Sequence, residues 1–285
     1  MAPQRLLEDV PVRVTLGLNG FSNQEVLDAL RADLGERELD QLLISGDLTH
    51  IGLPSEFLQA RRWLEQLGHP RDVALVPGNH DACVAAPWQD TFAHWQDYLA
   101  SDGDDAGGST VYPSYRERGD IAFIGVSSAC PTPPLMASGE VDSGQLSRLP
   151  SLLERAREAG KFRVVFIHHA PLPGVEKWRK RLRNAAQVAG VLAGHGAELV
   201  LHGHGHRARE HWLDSRDGAV PVLAVPSASA MGLHGADVAA YNTYRVAPAA
   251  QGWELRVESR RYDPGSGAFE AAGGKTLALA RANRP

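Results

Sequence analysis

The sequence predicts an α/β fold built on a sheet with parallel neighbours. Three observations predict it. Short apolar β-type runs alternate with stretches whose apolar residues recur at helical spacing. The β-type runs end in turn-forming motifs rich in histidine, at the place where an open α/β sheet gathers its ligand crevice. The last quarter of the chain then drops the helices for consecutive β-type runs.

The elements follow in order. "VPVRV" (10–14) reads as a strand. "SNQEVLDALRADLGE" reads as a helix capped by Ser22 or Asn23, with Val26, Leu27, Leu30 and Leu34 on one face. After the strand "QLLISGD", the helix "PSEFLQARRWLEQLG" opens near Pro54, where a missing N–H costs nothing. It carries a stripe of Phe57, Ala60, Trp63, Leu64 and Leu67 and stops at Gly68. "DVALVPGNHD" is a third strand running into a loop. This β-α-β-α-β order implies parallel strands joined by right-handed crossovers.

The acidic, glycine-rich "SDGDDAGGS" (101–109) reads as an exposed loop. "IAFIGVSS" is a strand, and "DSGQLSRLPSLLERAREAG" a helix behind an Asp/Ser cap. "FRVVFIHH" and "AELVLHGHGH" are strands flanking a helix over about 184–194. From Val220, "VPVLAVPSAS", "AYNTYRVA" and "WELRVESRRYD" read as consecutive antiparallel strands, and the residues from about 273 as a weakly held tail. No repeat or linker divides the chain, so a single domain over 1–285 is expected.

Composition narrows the function classes. Hydrophobic residues make up 43% of the 285, enough for a full core, and the net charge of −5 gives no electrostatic footprint for nucleic acid. Two cysteines, Cys83 and Cys130, make no disulfide framework and lack metal-type spacing. The N-terminus carries no signal pattern and no window is long and apolar enough to span a membrane, so a soluble cytoplasmic protein with no membrane span is expected.

Six of the twelve histidines, His80, His168, His169, His202, His204 and His206, stand at or just beyond the C-terminal end of an expected strand. Asp47 and Asn79 join them. One carboxylate, one amide oxygen and several imidazoles suit a borderline divalent ion such as Mn, Fe, Zn or Co, and suit Ca or Mg poorly. Each motif alone has a plain reading. "GD" after a strand is usually a turn, "GNHD" can be an Asx-turn, and "HH" can be an exposed pair. "GHGH" is stronger, because alternate residues of an extended segment point the same way. Shared order and shared position at strand ends make four unrelated turns a poor explanation.

Gly46–Asp47, Gly78–Asn79–His80–Asp81, His168–His169 and Gly203–His204–Gly205–His206 together resemble the calcineurin-like metallophosphoesterases, nearest their bacterial class III cyclic-nucleotide phosphodiesterase branch, over roughly residues 10–245. The resemblance implies a four-layer α/β/β/α sandwich of two mixed sheets with a dinuclear metal site. It makes Asp47 the bridging ligand, has Asn79, His168 and His204 complete the second metal, and gives His206 to the first. His168 is preferred to His169 because it comes first after the strand. His80 would meet the phosphate and protonate or steady the leaving oxygen, with Asp81 orienting its ring.

The family's first motif, Asp-x-His, is missing. Aligned without gaps from the first helix, it falls on Gly17–Leu18–Asn19 within "VTLGLNG". Either these residues replace the ligands, which the undisturbed spacing to the helix favours, or a short segment was lost after Val14. Asp9 lies at the wrong end of the strand to substitute. One tightly bound ion and a weak second one are therefore expected. Two readings remain open: a phosphoesterase acting on a small phosphorylated substrate, weakened by the loss, or a non-catalytic descendant that binds a phosphorylated ligand or a protein partner. The basic stretch with Lys177, Arg179, Lys180, Arg181 and Arg183 reads as a solvated helix face sooner than as a phosphate clamp.

Overall fold

The computed structural model describes residues 10–16, 23–103, 112–232 and 237–282. The expected ligand position at 17–19, the alternative cap Ser22 and Asp9 lie outside the described residues.

Two six-stranded mixed sheets form the core. The first has the order β12-β11-β10-β1-β2-β3, with β1 (Val10–Leu16), β2 (Leu39–Ile44) and β3 (Val73–Leu75) parallel. The second has the order β4-β5-β6-β7-β9-β8, with β5 (Ile121–Val126), β6 (Phe162–Ile167), β7 (Leu199–His202) and β9 (Gly218–Ala224) parallel.

Three separate apolar clusters show the layering. Leu42, Ile44, Val73 and Leu75 face α1 (Gln24–Gly35) and α2 (Pro54–Leu67). Ile124, Val165, Ile167 and Val200 face α4 (Ser143–Glu158) and α5 (Ala185–His195). Between the sheets, Leu43, Ala74 and Val76 meet Phe123, Val164, Phe166, Leu199 and Leu201. Side chains alternate along a strand, so a run apolar at every position fills two clusters at once. This is the expected four-layer sandwich.

Local sequence accounts for the helix ends. The Asn23 side chain accepts the Val26 N–H, and the Asp142 side chain accepts the Gln145 N–H, so each caps its helix. Pro54 stands at the first position of α2 and Gly68 ends it. A four-residue helical turn, α3 (Gln96–Leu99), buries Tyr98 and Leu99.

The C-terminal third differs from expectation in three ways. The segment starting at Val220 is β9, which belongs to the second sheet and not to the antiparallel run of the first. Its antiparallel partner β8 (Arg209–Ser215) has side chains alternating between exposed and half-buried, too polar to stand out in the sequence. Residues 273–279 are no loose tail. They form the second half of β12 (Ala268–Leu279), hydrogen-bonded along β11 (Gly252–Asp263), which in turn pairs with β10 (Ala240–Ala249). β4 (Ser114–Arg118) is a further short edge strand that the sequence did not announce.

Candidate metal centre

The parallel strands of both sheets end at one edge of the sandwich. The loop after β2 supplies Asp47, and the loop after β3 supplies Asn79, His80 and Asp81. Across the gap, His168 follows β6 and His204 follows β7. Parity decides which of the paired histidines faces the gap. Val164 and Phe166 point between the sheets, and His168 continues that face. By the same rule His202 continues the face of Val200, toward the helices, and stays outside the ligand group.

His168 Nε2 lies 3.3 Å from Asp47 Oδ2, 3.0 Å from Asn79 Oδ1 and 3.2 Å from His204 Nδ1. All four side chains are buried. The opposite nitrogen, His168 Nδ1, is 2.6 Å from the Ser45 carbonyl oxygen and donates to it. That bond orients the ring and aims Nε2 at the other three groups, as an outer-shell partner does for a metal-bound imidazole.

His169 also lies within 4.8 Å of this cluster, but both its ring nitrogens are engaged. Nδ1 is 2.8 Å from Ser128 Oγ and Nε2 3.1 Å from the Ala137 carbonyl. His206 is half-buried at the rim, outside the tight group, yet near enough to feel the charge of Asp47.

Two glycines make the close approach of the first two loops possible. Gly46 has φ 95°, and a Cβ there would stand 2.4 Å from the Gly78 nitrogen. A Cβ on Gly78 would stand 2.1 Å from Asp47 Oδ1. Asp81 then ties the loops together. Its Oδ2 accepts the N–H groups of Asp47 (2.9 Å) and Gly78 (2.8 Å), and its Oδ1 accepts the N–H (2.9 Å) and hydroxyl (3.0 Å) of Thr49.

Asp81 therefore does not orient the His80 ring, the role expected for it. With both oxygens taken by the loops, the ring is held instead by the His50 carbonyl, 2.6 Å from His80 Nδ1. Nor do His204 and His206 sit on an extended segment. A tight turn closed by the Gly205 N–H on the Gly203 carbonyl (2.7 Å) puts His204 at φ 64°, and His206 follows at φ 51°.

Left-handed backbone at non-glycine residues is uncommon and strained. Among the described residues four adopt it, and three of them, Asp47, His204 and His206, are candidate ligands.

Burial alone would raise the Asp47 pKa, but the neighbouring His168 charge and the His80 N–H outweigh it and bring Asp47 down to about 2. Burial opposes a charge on His168, and the Asp47 carboxylate overrides it, so the His168 pKa goes up. Burial, then the charges of His169 and His168, push His204 far down, so its ring is neutral and carries a lone pair. Burial and the Asp47 charge push Asp81 up to about 6, against the pull of the N–H groups of Gly78 and Thr49.

The set fits a divalent ion. Three acceptors converge on one imidazole nitrogen that could offer them a single proton, and His204 Nε2 is buried without a partner. One carboxylate, one amide oxygen and two imidazoles would hold a borderline transition metal.

Sequence reasoning missed four of the groups that build this edge: Ser45, Thr49, His50 and Ser128. The first three adjoin Asp47 in "SGDLTH", so proximity was the available signal. The basic stretch 177–183 is irregular turn, not a helix face. Within it, Lys180 is close enough for its charge to disfavour protonation of His204 and His206.

The profile of the calcineurin-like phosphoesterases matches residues 20–208, and the chain belongs to that family. A probable cyclic nucleotide phosphodiesterase of Synechococcus sp. is 29% identical over 190 residues, covering 63% of this chain and 63% of its own length. Another, of Rhodococcus erythropolis, is 28% identical over 64% of this chain and 56% of its own length. The chain thus spans less than two thirds of the length of these curated relatives. The structure of a dimetal phosphatase from Danio rerio superimposes with a TM-score of 0.62 over 96% of this chain and 100% of its own, at 12% identity. PhoD superimposes at 0.54 over 94% of this chain and 73% of its own, at 10% identity. These likenesses show the metallophosphoesterase fold. Among the described residues no helix is long and apolar enough to cross a membrane.

Proposed function

We propose that the protein is a metal-dependent phosphodiesterase built around one tightly held ion. The observation that carries the reading is the convergence of Asp47, Asn79 and His204 on His168 Nε2, with His168 Nδ1 fixed by Ser45. A bound Mn, Fe, Zn or Co ion would neutralise phosphate charge and lower the pKa of a water at the site. Asp47, Asn79, His168 and His204 would hold it.

The chain's own residues supply the rest. His80, half-buried beside Asn79, has its Nδ1 occupied by the His50 carbonyl, and its Nε2 would give the leaving oxygen its proton. Asp81 keeps the Asp47 and Asn79 loops in register. The names of the curated relatives suggest a nucleotide phosphodiester as substrate, and two free thiols, Cys83 and Cys130, suit a cytoplasmic setting.

One observation favours a second reading, a phosphate-ester binder without turnover. In the ungapped alignment that the family resemblance implies, Gly17 and Asn19 fall where the family has an acid and a histidine, which would leave His206 and a share of Asp47 for a second ion. Metal analysis combined with turnover of bis-(p-nitrophenyl) phosphate in added manganese separates the two. The hydrolase reading expects about one retained ion per chain and measurable, manganese-dependent turnover. Gly17→Asp with Asn19→His should raise both the second occupancy and the rate. One tight ion with no turnover, before and after that substitution, leaves the binder.

A further inference from the structure

We infer that Glu56 is the positioning residue for the proton donor His80, acting through the main chain of His50; this rests on the hydrolase reading above.

Glu56 lies in the first turn of α2, and its carboxylate does more than cap that helix. Oε2 accepts the Leu53 N–H at 2.8 Å, which is ordinary capping. It also accepts the Ile51 N–H at 3.2 Å, while Oε1 accepts the His50 N–H at 3.1 Å. Residues 50 and 51 precede the helix, so these two bonds shape the loop and not the cap.

The loop they shape is pressed onto His80. Gly52, at φ 77°, brings the chain so close that a Cβ there would lie 3.3 Å from the His80 carbonyl oxygen and 3.4 Å from that of Asp81. The Thr49 hydroxyl reaches the His80 carbonyl at 3.1 Å. The His50 carbonyl then meets His80 Nδ1 at 2.6 Å, and the two rings stack with centroids 6.0 Å apart and planes 21° apart.

The chemical consequence follows from the ring having two nitrogens. A carbonyl can only accept, so His80 Nδ1 must carry hydrogen and Nε2 is the nitrogen left to face substrate. When the bond from phosphorus to the leaving group breaks, its electron pair stays on the leaving oxygen. That oxygen takes the proton from Nε2, and His80 is left neutral with its hydrogen on Nδ1, the tautomer the His50 carbonyl selects. Without Glu56, residues 50–52 lose two of the bonds that hold that carbonyl in place, and the ring is free to turn or to exchange tautomers.

The test uses two diesters of different leaving group, bis-(p-nitrophenyl) phosphate and a 3′,5′-cyclic nucleotide. A p-nitrophenolate leaves without much help, whereas a sugar alkoxide needs the proton. Glu56→Ala should slow the cyclic nucleotide about 10²-fold and the aryl ester less than about 10-fold, with metal content unchanged; His80→Ala alone should cost about 10²–10⁴-fold on the cyclic nucleotide. Glu56→Gln, which keeps one acceptor oxygen, should fall between wild type and Glu56→Ala and covers the case in which the alanine variant does not fold. In the His80→Ala background either change should add almost nothing, because both act through one ring.

A readout independent of turnover is the ¹⁵N NMR signal of the His80 ring, assigned against His80→Asn. It should show hydrogen on Nδ1 in the wild type and mixed tautomers in the Glu56 variants. Equal slowing of both esters, additive losses in the double variant, or an unchanged ring signal would each overturn the role of Glu56. Absence of turnover in the wild type with the expected ring signal would instead count against the hydrolase reading alone.

Discussion

β6 and β7 carry a buried polar cluster at each end, and the two clusters are built on opposite terms. At the N-terminal end, Arg163 is wholly surrounded. Its Nε and Nη2 donate to the two oxygens of Glu198 (2.9 and 2.8 Å), Nη2 also reaches Asp217 (2.9 Å), and Nη1 donates to the His195 carbonyl (2.8 Å). Every guanidinium nitrogen meets an acceptor, and burial of the charges is offset within the fold. At the C-terminal end, Asp47, Asn79 and His204 bring acceptors to one imidazole nitrogen, and Asp47 and His204 do so from strained backbone. A cluster whose donors and acceptors balance is completed by folding. One with surplus acceptors is completed by a cation from outside.

Removing a member from each end gives the widest separation. Asp47→Ala should abolish metal retention and reduce turnover to background, and in the metal-free protein it should cost about 1–3 kcal/mol near neutral pH, because it removes a depressed carboxylate paired with His168 and leaves alanine at a left-handed position. Elemental analysis and denaturant unfolding read both halves. Full metal occupancy in this variant would show that the site is built from other residues.

Glu198→Ala should spare the metal and cost more in stability. It strips a buried guanidinium of its main partner, at a cost of about 3–5 kcal/mol in urea unfolding, and leaves metal content untouched. A loss of metal there would mean that the two ends are not independent.

Asp33 offers a smaller case of the balanced kind. Burial works to raise its pKa, but Arg260 (Nε 2.7 Å away), Tyr241 and Arg37 hold it below the usual carboxylate range. A depressed carboxylate contributes stability above its unfolded-state pKa and loses it as pH falls through the folded value. Asp33→Asn should therefore cost about 2 kcal/mol near neutral pH, with the gap closing below about pH 4. A gap that is constant across that range would assign the loss to packing and not to charge.

Much of this was legible in the chain itself. The helices α1, α2 and α4 announced themselves because stripe, cap and stop agree, as with Asn23, Pro54 and Gly68. The fully apolar strands β2, β3 and β6 could be read as buried on both faces. Parity along β6, counted from Val164 and Phe166, would also have chosen His168 over His169 on physical grounds.

What stayed hidden depends on contacts distant in sequence. β8 and β12 are edge strands with many side chains in water, and β4 is a buried edge strand of polar and charged residues, so no apolar run marks any of them. The turn at Gly203–Gly205 is fixed by its own hydrogen bond and by its neighbours, and an alternating pattern of glycine and histidine says nothing of φ. The family resemblance gives Asp81 to the ring beside it in sequence. Its oxygens are in fact filled by the main chain of a loop more than thirty residues away, a distance that only the packed fold closes.

The origin of the ligands has a consequence for how the molecule comes apart. Asp47 and Asn79 hang from the first sheet, His168 and His204 from the second, and Asn79 and His168 are 89 positions apart along the chain. An ion held by all four would be a removable polar link between two sheets that otherwise meet through apolar packing. The native fold holds the ion and the unfolded chain releases it, so occupancy stabilises the fold by mass action, by about 4 kcal/mol at a thousandfold excess over Kd. Chelation should accordingly loosen one seam first. Amide protons along the C-terminal ends of β2, β3, β6 and β7 should exchange faster, while those beside Arg163, at the far end of the same strands, keep their protection.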